Sequence, residues 1–139
     1  MTHTPSVLFV CAKNGGKSQM AAGLMRQLAG TEVEVYSAGT TPGAAVNPLS
    51  AESLSEIGID ISGESPKPVD PQLVQDVDVV VILGREARLE PVPGTEFRNW
   101  DTDEPSERGI DGIERMRLVR DDIAARVNEL LAQLKETVR

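Results

Sequence analysis

The stretch VLFVCAKNGGKS, Val7 to Ser18, decides how the rest of the chain is read. Val7, Leu8, Phe9 and Val10 form a short apolar run of the kind that parallel sheets bury on both faces, and a loop with two glycines follows. Helical patterning begins near Ser18. A strand, a loop and a helix start in that order make a cradle for anions, because the first N–H groups of a helix have no partner within it. Cys11, the only cysteine of the 139 residues, stands where the strand ends. A thiol held over a helix N-terminus meets partial positive charge, which favours its thiolate form. Nucleophile and oxyanion cradle would then share one loop.

Within Ala12–Ser18 each residue type has a job. Gly15 and Gly16 are expected to take positive φ and turn successive N–H groups inward as a concave nest, and Asn14 also tolerates a left-handed conformation. Lys17 adds a full charge at the rim, Lys13 raises the local potential, and the Ser18 hydroxyl can donate to the Cys11 thiolate. Sulfur attack on a tetrahedral oxyanion is the chemistry this suggests. Two rival readings are an inert, core-packed cysteine and a nucleotide loop of the form G-x-x-x-x-G-K-[ST]. Counting back from Gly16, the first glycine of that motif falls on Cys11. The later strand runs into Gly84 and Arg85, without a carboxylate to help hold magnesium.

The length suits one domain, residues 1–139, with a single core. A composition of 40% hydrophobic and 26% charged residues is that of an ordinary globular protein. No apolar run approaches the roughly 18 residues of a membrane span, and MTHTPS lacks the regions of a signal peptide, so a cytoplasmic protein is expected. The net charge of −8 argues against nucleic acid as a partner, and Phe9, Tyr36, Phe97 and Trp100 are too few for a stacking platform. His3 is read as part of a frayed terminus without a role. One cysteine rules out a disulfide within these residues, so redox chemistry needs an external thiol.

Along the chain, Met20, Ala21, Leu24, Met25 and Leu28 recur at helical spacing and stop at Ala29–Gly30. The methionines read as core filler and not as ligands; no metal site and no tightly bound cofactor are expected. Glu32–Ser37 alternates like an edge strand, and the chain then loops to Pro48. Asn47 can cap a helix with Pro48 in its first turn and an apolar face of Leu49, Leu54 and Ile57. IDISGESPKPVDP is a rigid connector, because its prolines forbid a central strand. A short helix from Pro71 to Asp76 leads into a buried strand, Val77–Leu83. Gly84–Gly94 is a loop at the Cys11 end of the sheet, Glu96–Asn99 a last strand, and residues 100–105 an acidic turn. Helical spacing from Ile113 through Met116, Val119, Ile123, Val127, Leu130 and Leu134 to Val138 gives a long closing helix. The fold class is α/β, a three-layer α/β/α sandwich around a roughly four-stranded parallel sheet, with the ligand at the strands' carboxyl ends.

Over nearly its whole length the chain resembles the low-molecular-weight protein tyrosine phosphatases, and among them the arsenate reductases of that fold. The likeness is carried by VLFVCAKNGGKSQMAA, by YSAGT at Tyr36–Thr40, by NPLSAESLSEIGIDIS from Asn47, by DVVVIL ending at Leu83, and by NWDTDEPSERG before the last helix. It implies that Cys11 is the nucleophile, that Ala12, Lys13, Asn14, Gly15, Gly16, Lys17 and Ser18 bind arsenate or phosphate, and that an acid before Pro105 protonates the departing oxygen. Glu104 holds that position where aspartate is usual, with Asp103 adjacent; the choice between them stays open.

Departures from the family pattern matter as much. Lys17 stands where an arginine is expected, a point charge in place of a bidentate fork, so phosphatase activity should be weak. Thioredoxin-coupled members carry two further cysteines where this chain has Gly84 and Glu90. The resemblance is therefore to the single-cysteine branch, in which arsenate passes to mycothiol as co-substrate and a mycoredoxin completes the reduction, with glutathione as the nearby alternative thiol. A phosphatase and a non-catalytic oxyanion-binding protein are the remaining readings.

Overall fold

The computed structural model describes residues 3–137. Its strands are β1 (Ser6–Cys11), β2 (Glu34–Gly39), β3 (Val79–Leu83) and β4 (Glu96–Trp100); its helices are α1 (Lys17–Ala29), α2 (Pro48–Ser55), α3 (Pro71–Asp76) and α4 (Gly112–Thr137). The strands form one parallel sheet in the order β2-β1-β3-β4, flanked by helices. The chain thus leaves β1 toward one edge and later returns to its other side, and this reversal puts the end of β1 at the switch point where such sheets bind ligands.

Pleating sorts β1 and β3 between two cores. Val7, Phe9, Val79, Val81 and Leu83 face Met20, Met25 and Leu24 of α1, Leu54 of α2, and Met116, Val119, Ile123, Val127, Leu130 and Leu134 of α4. Phe9 meets Trp100 there, ring centroids 5.8 Å apart. Leu8, Val10, Val80 and Ile82 face the other way, toward Val74, Val77 and Ala87. A β-branched run covered on both faces has no solvent side, which is why Val79–Leu83 shows no polar alternation.

The elements shift from their sequence-based bounds at several ends. Glu32 closes a 3₁₀ turn, Gly30–Glu32, so β2 starts at Glu34. Val77 caps α3, leaving β3 to begin at Val79. Part of the acidic turn winds into a second 3₁₀ turn, Pro105–Arg108. Leu28 and Ile57, assigned to buried stripes, are 45% and 46% exposed; Leu28 falls on the outer side of the last turn of α1, and Ile57 lies in the turn past the end of α2. His3 has a role after all: its Nε2 lies 2.8 Å from Asp78, whose carboxylate also accepts the Ser6 N–H that opens β1. Val138 lies outside the described residues.

One ion-pair cluster ties α2 to α4. Glu56 accepts from Arg117 at 2.6–3.1 Å and from Arg120 at 3.0 Å, and Arg120 also donates to the Ser53 carbonyl. The Arg117 hydrogen bonds hold the Glu56 carboxyl below its usual 4.5. A depressed carboxylate stabilises the fold fully above its unfolded-state value and ceases to do so as pH falls through the folded-state one. Glu56→Gln is therefore expected to melt below the wild type at pH 7, with the gap closing as pH falls below the ordinary glutamate range; thermal melts from neutral to acid pH check it.

Candidate active site

The loop after β1 is shaped from outside. Carbonyls of Cys11, Ala12, Lys13 and Gly15 are held by the N–H groups of Thr40, Thr41, Gly43 and Asn47, at 3.1, 2.8, 2.9 and 2.7 Å. No peptide bond among the described residues is cis. Across a trans peptide the following N–H points opposite its carbonyl, so those of Ala12, Lys13, Asn14 and Gly16 turn away from this brace, toward the inner side of the loop. Asn14 N–H does so visibly, donating to Cys11 Sγ at 3.2 Å. The segment between β2 and α2 is thus the strap that orients the nest.

Positive φ falls on Asn14, at 53°, and not on Gly15 or Gly16. The glycines are needed for space: a Cβ on Gly15 would lie 3.0 Å from the Ala45 carbonyl oxygen. Gly39 is tighter still, because its Cβ would meet the Ala12 oxygen at 2.7 Å and Asn14 Cβ at 2.9 Å. Asn14 can hold a left-handed conformation because its side chain is fully engaged. Lys67 N–H, an obligate donor, meets the side-chain oxygen at 3.0 Å, and Gln19 Nε2 donates to the same atom at 3.2 Å. The amide nitrogen is left to donate to Ser18 Oγ at 2.7 Å. A hydroxyl that accepts there has its proton free for Cys11 Sγ, 3.0 Å away. The sulfur is placed to accept twice.

Around it lies a cavity of about 470 Å³, a size usual for small-molecule sites. Cys11, Ala12, Lys13, Gly16 and Lys17 form its floor, Gly84–Glu86 one wall, and Glu104, Glu107 and Arg115 another. Asn14 and Ser18 are fully buried and work from behind the loop; Gly15 is buried against the strap. Lys17 is not a free rim charge, for its ammonium pairs with Glu104. The structure separates the two acidic candidates. Glu104 is in the wall, whereas Asp103 is absent from it and takes both Arg108 nitrogens at 2.8 and 3.1 Å. Those bonds hold the Asp103 carboxyl below the usual aspartate range. The paired Arg108 ties Asp103 into the turn and away from the cavity.

Gly84 takes positive φ beside the Lys17 ammonium, and Glu90 is exposed on the loop beyond. Sequence reasoning missed Arg115, Gln19 and Lys67. Helical periodicity marks only the apolar face of α4, and a lysine in a proline-rich connector gives no sign that its backbone N–H will support an asparagine 53 positions earlier.

Comparison with known proteins agrees with this architecture. The family model described as low molecular weight phosphotyrosine protein phosphatase matches residues 6–139. A glutaredoxin arsenate reductase of Synechocystis is 34% identical over 131 residues, 92% of this chain and 97% of that one. An arsenate reductase of Halalkalibacterium halodurans is 37% identical over 127 residues, 87% and 91% of the two chains. Among solved structures, a thioredoxin-dependent arsenate reductase of Corynebacterium glutamicum superposes with a TM-score of 0.81 at 34% identity, covering 96% of this chain but 63% of that longer one. An arsenate reductase in the phosphate binding state also reaches 0.81, at 33% identity over 94% of this chain and 98% of that one. No helix among the described residues is long and apolar enough to cross a membrane. The chain belongs to the low molecular weight phosphotyrosine protein phosphatase family, with arsenate reductases among its homologues.

Proposed function

We propose that the protein reduces arsenate through Cys11 with the help of an external thiol. The observation that carries this reading is the doubly hydrogen-bonded Cys11 sulfur on the floor of a cavity lined also by Lys13, Lys17 and Arg115, with Glu104 in the wall. Arsenate enters the loop and its charge is met by the inward N–H groups and Lys17. The Cys11 thiolate attacks arsenic of dihydrogen arsenate; an As–S bond forms, an As–O bond breaks, and the departing oxygen leaves as water with both protons that the substrate brought in, one of them passed on by the Glu104 carboxylate. Thiolate from mycothiol then attacks arsenic, the As–S bond to Cys11 breaks, and the cysteine is regenerated with arsenic still pentavalent. Reduction follows when a mycoredoxin-type thiol attacks the mycothiol sulfur: two electrons pass to arsenic, arsenite leaves, and a mixed disulfide forms.

The single cysteine supports an external resolving thiol, since the chain has no second sulfur to close a disulfide. Phosphatase action on aromatic esters is less favoured, because none of the cavity's lining residues is aromatic. Purified protein supplied with arsenate is expected to turn over with mycothiol and mycoredoxin and not with thioredoxin alone. Turnover on glutathione and glutaredoxin instead would keep the mechanism and replace the thiol, as the Synechocystis relative's name suggests. Equal rates with thioredoxin as the sole thiol source would refute the proposal.

A further inference from the structure

The cavity has a cation that the mechanism above leaves idle. Arg115, in the first turn of α4, lines the same wall as Glu104. Its Nε is buried without a hydrogen-bond partner, and its Nη2 stands 3.6 Å from Glu104 Oε2, an ion-pair distance too long for a hydrogen bond. Neighbouring arginines differ. Arg85 grips Asp101 with two nitrogens at 2.9 and 3.1 Å, and Arg108 grips Asp103 at 2.8 and 3.1 Å. Those forks are spent, whereas the Arg115 fork is not. A buried N–H left unpaired costs free energy that the side chain would recover by turning onto an incoming acceptor.

Glu104 itself imitates a ligand. One of its oxygens pairs with Lys17 and the other faces Arg115, as two oxygens of a tetraoxo anion would. We infer that Arg115 is a second anion-binding residue of this cavity, supplying the planar fork that Lys17 lacks, and that Glu104 is the internal counter-anion an incoming oxyanion displaces. Displacement frees the Glu104 carboxylate from both cations, able to take a proton from the bound oxyanion and pass it to the departing oxygen. The inference rests on the cavity being an oxyanion site, and its test separates the two claims.

The probe is inorganic phosphate, read as protection of Cys11 from alkylation by iodoacetamide, with thermal melts to confirm folding. In the wild type, protection is expected to saturate. Arg115→Gln should raise the half-protecting phosphate concentration about tenfold or more, as loss of a charge-assisted pair does. Arg115→Lys should recover part of it, having the charge without the fork. Glu104→Gln should lower the concentration, since the resident competitor loses its charge. A value for Arg115→Gln within about twofold of wild type, at unchanged melting temperature, overturns the inference and leaves the oxyanion site standing. If Arg115→Gln does not fold, Arg115→Lys and Glu104→Gln decide: a wild-type value for the first with a raised value for the second also overturns it. Absence of protection in the wild type removes the oxyanion site and this inference together.

Discussion

Cys11→Ser is expected to lose arsenate turnover by roughly four orders of magnitude or more, as removal of an essential nucleophile does. An alcohol ionises far above neutral pH, and activating one needs an adjacent general base; the cavity has no histidine, and its Glu104 carboxylate is already paired with Lys17. No other thiol in the chain can substitute. The fold should barely notice. Serine fits where cysteine did, at a position already in contact with a hydroxyl and an N–H, so the melting temperature is expected to stay within a few degrees and phosphate to remain bound. Coupled arsenate turnover measured beside thermal melts checks both halves. Activity retained above about one part in a hundred would place the chemistry elsewhere.

Asn14→Ala is expected to damage stability and reactivity together. Alanine at φ 53° costs about 1–2 kcal/mol, and the Lys67 N–H deprived of its acceptor costs about as much again. For a domain of this size a sum of roughly 2–4 kcal/mol lowers the melting temperature by about 5–15 °C. Ser18 then has no amide donor fixing its hydroxyl toward Cys11, and turnover should fall by about 10–100-fold, the usual loss when a supporting contact behind a reactive group is removed. Asn14→Asp separates the two effects. Aspartate tolerates the left-handed conformation and still accepts from Lys67, but its second oxygen can only accept from Ser18 and so draws the hydroxyl proton away from sulfur. It should keep more of the melting temperature than alanine while losing at least as much turnover. Equal turnover in Asn14→Asp and wild type would show that the direction of the Ser18 hydrogen bond is irrelevant.

How far the sequence reaches depends on the range of the interactions concerned. Pro71–Asp76 matched its reading because a capping Asp70 and a proline in the first turn are local devices. The Cys11–Ser18 cradle was legible for the same reason: an apolar run, a glycine loop and a helix start are neighbours in the chain. Periodicity of 3.6 found the buried face of α4, though the first-turn arginine on that helix was invisible to it.

What the chain determined alone was therefore the order of its elements, the parallel sheet they build, and the placing of one sulfur where β1 runs into the glycine loop before α1, since backbone preference and apolar spacing act over a few residues. Tertiary structure decided which groups serve that sulfur. Only the crossovers bring Gly39, Lys67, Glu104 and Arg115 to the end of β1, and only the fold gives Asp103 an arginine while leaving Glu104 in the cavity. Contacts across such separations are set by where whole strands and helices come to rest, which no local pattern encodes.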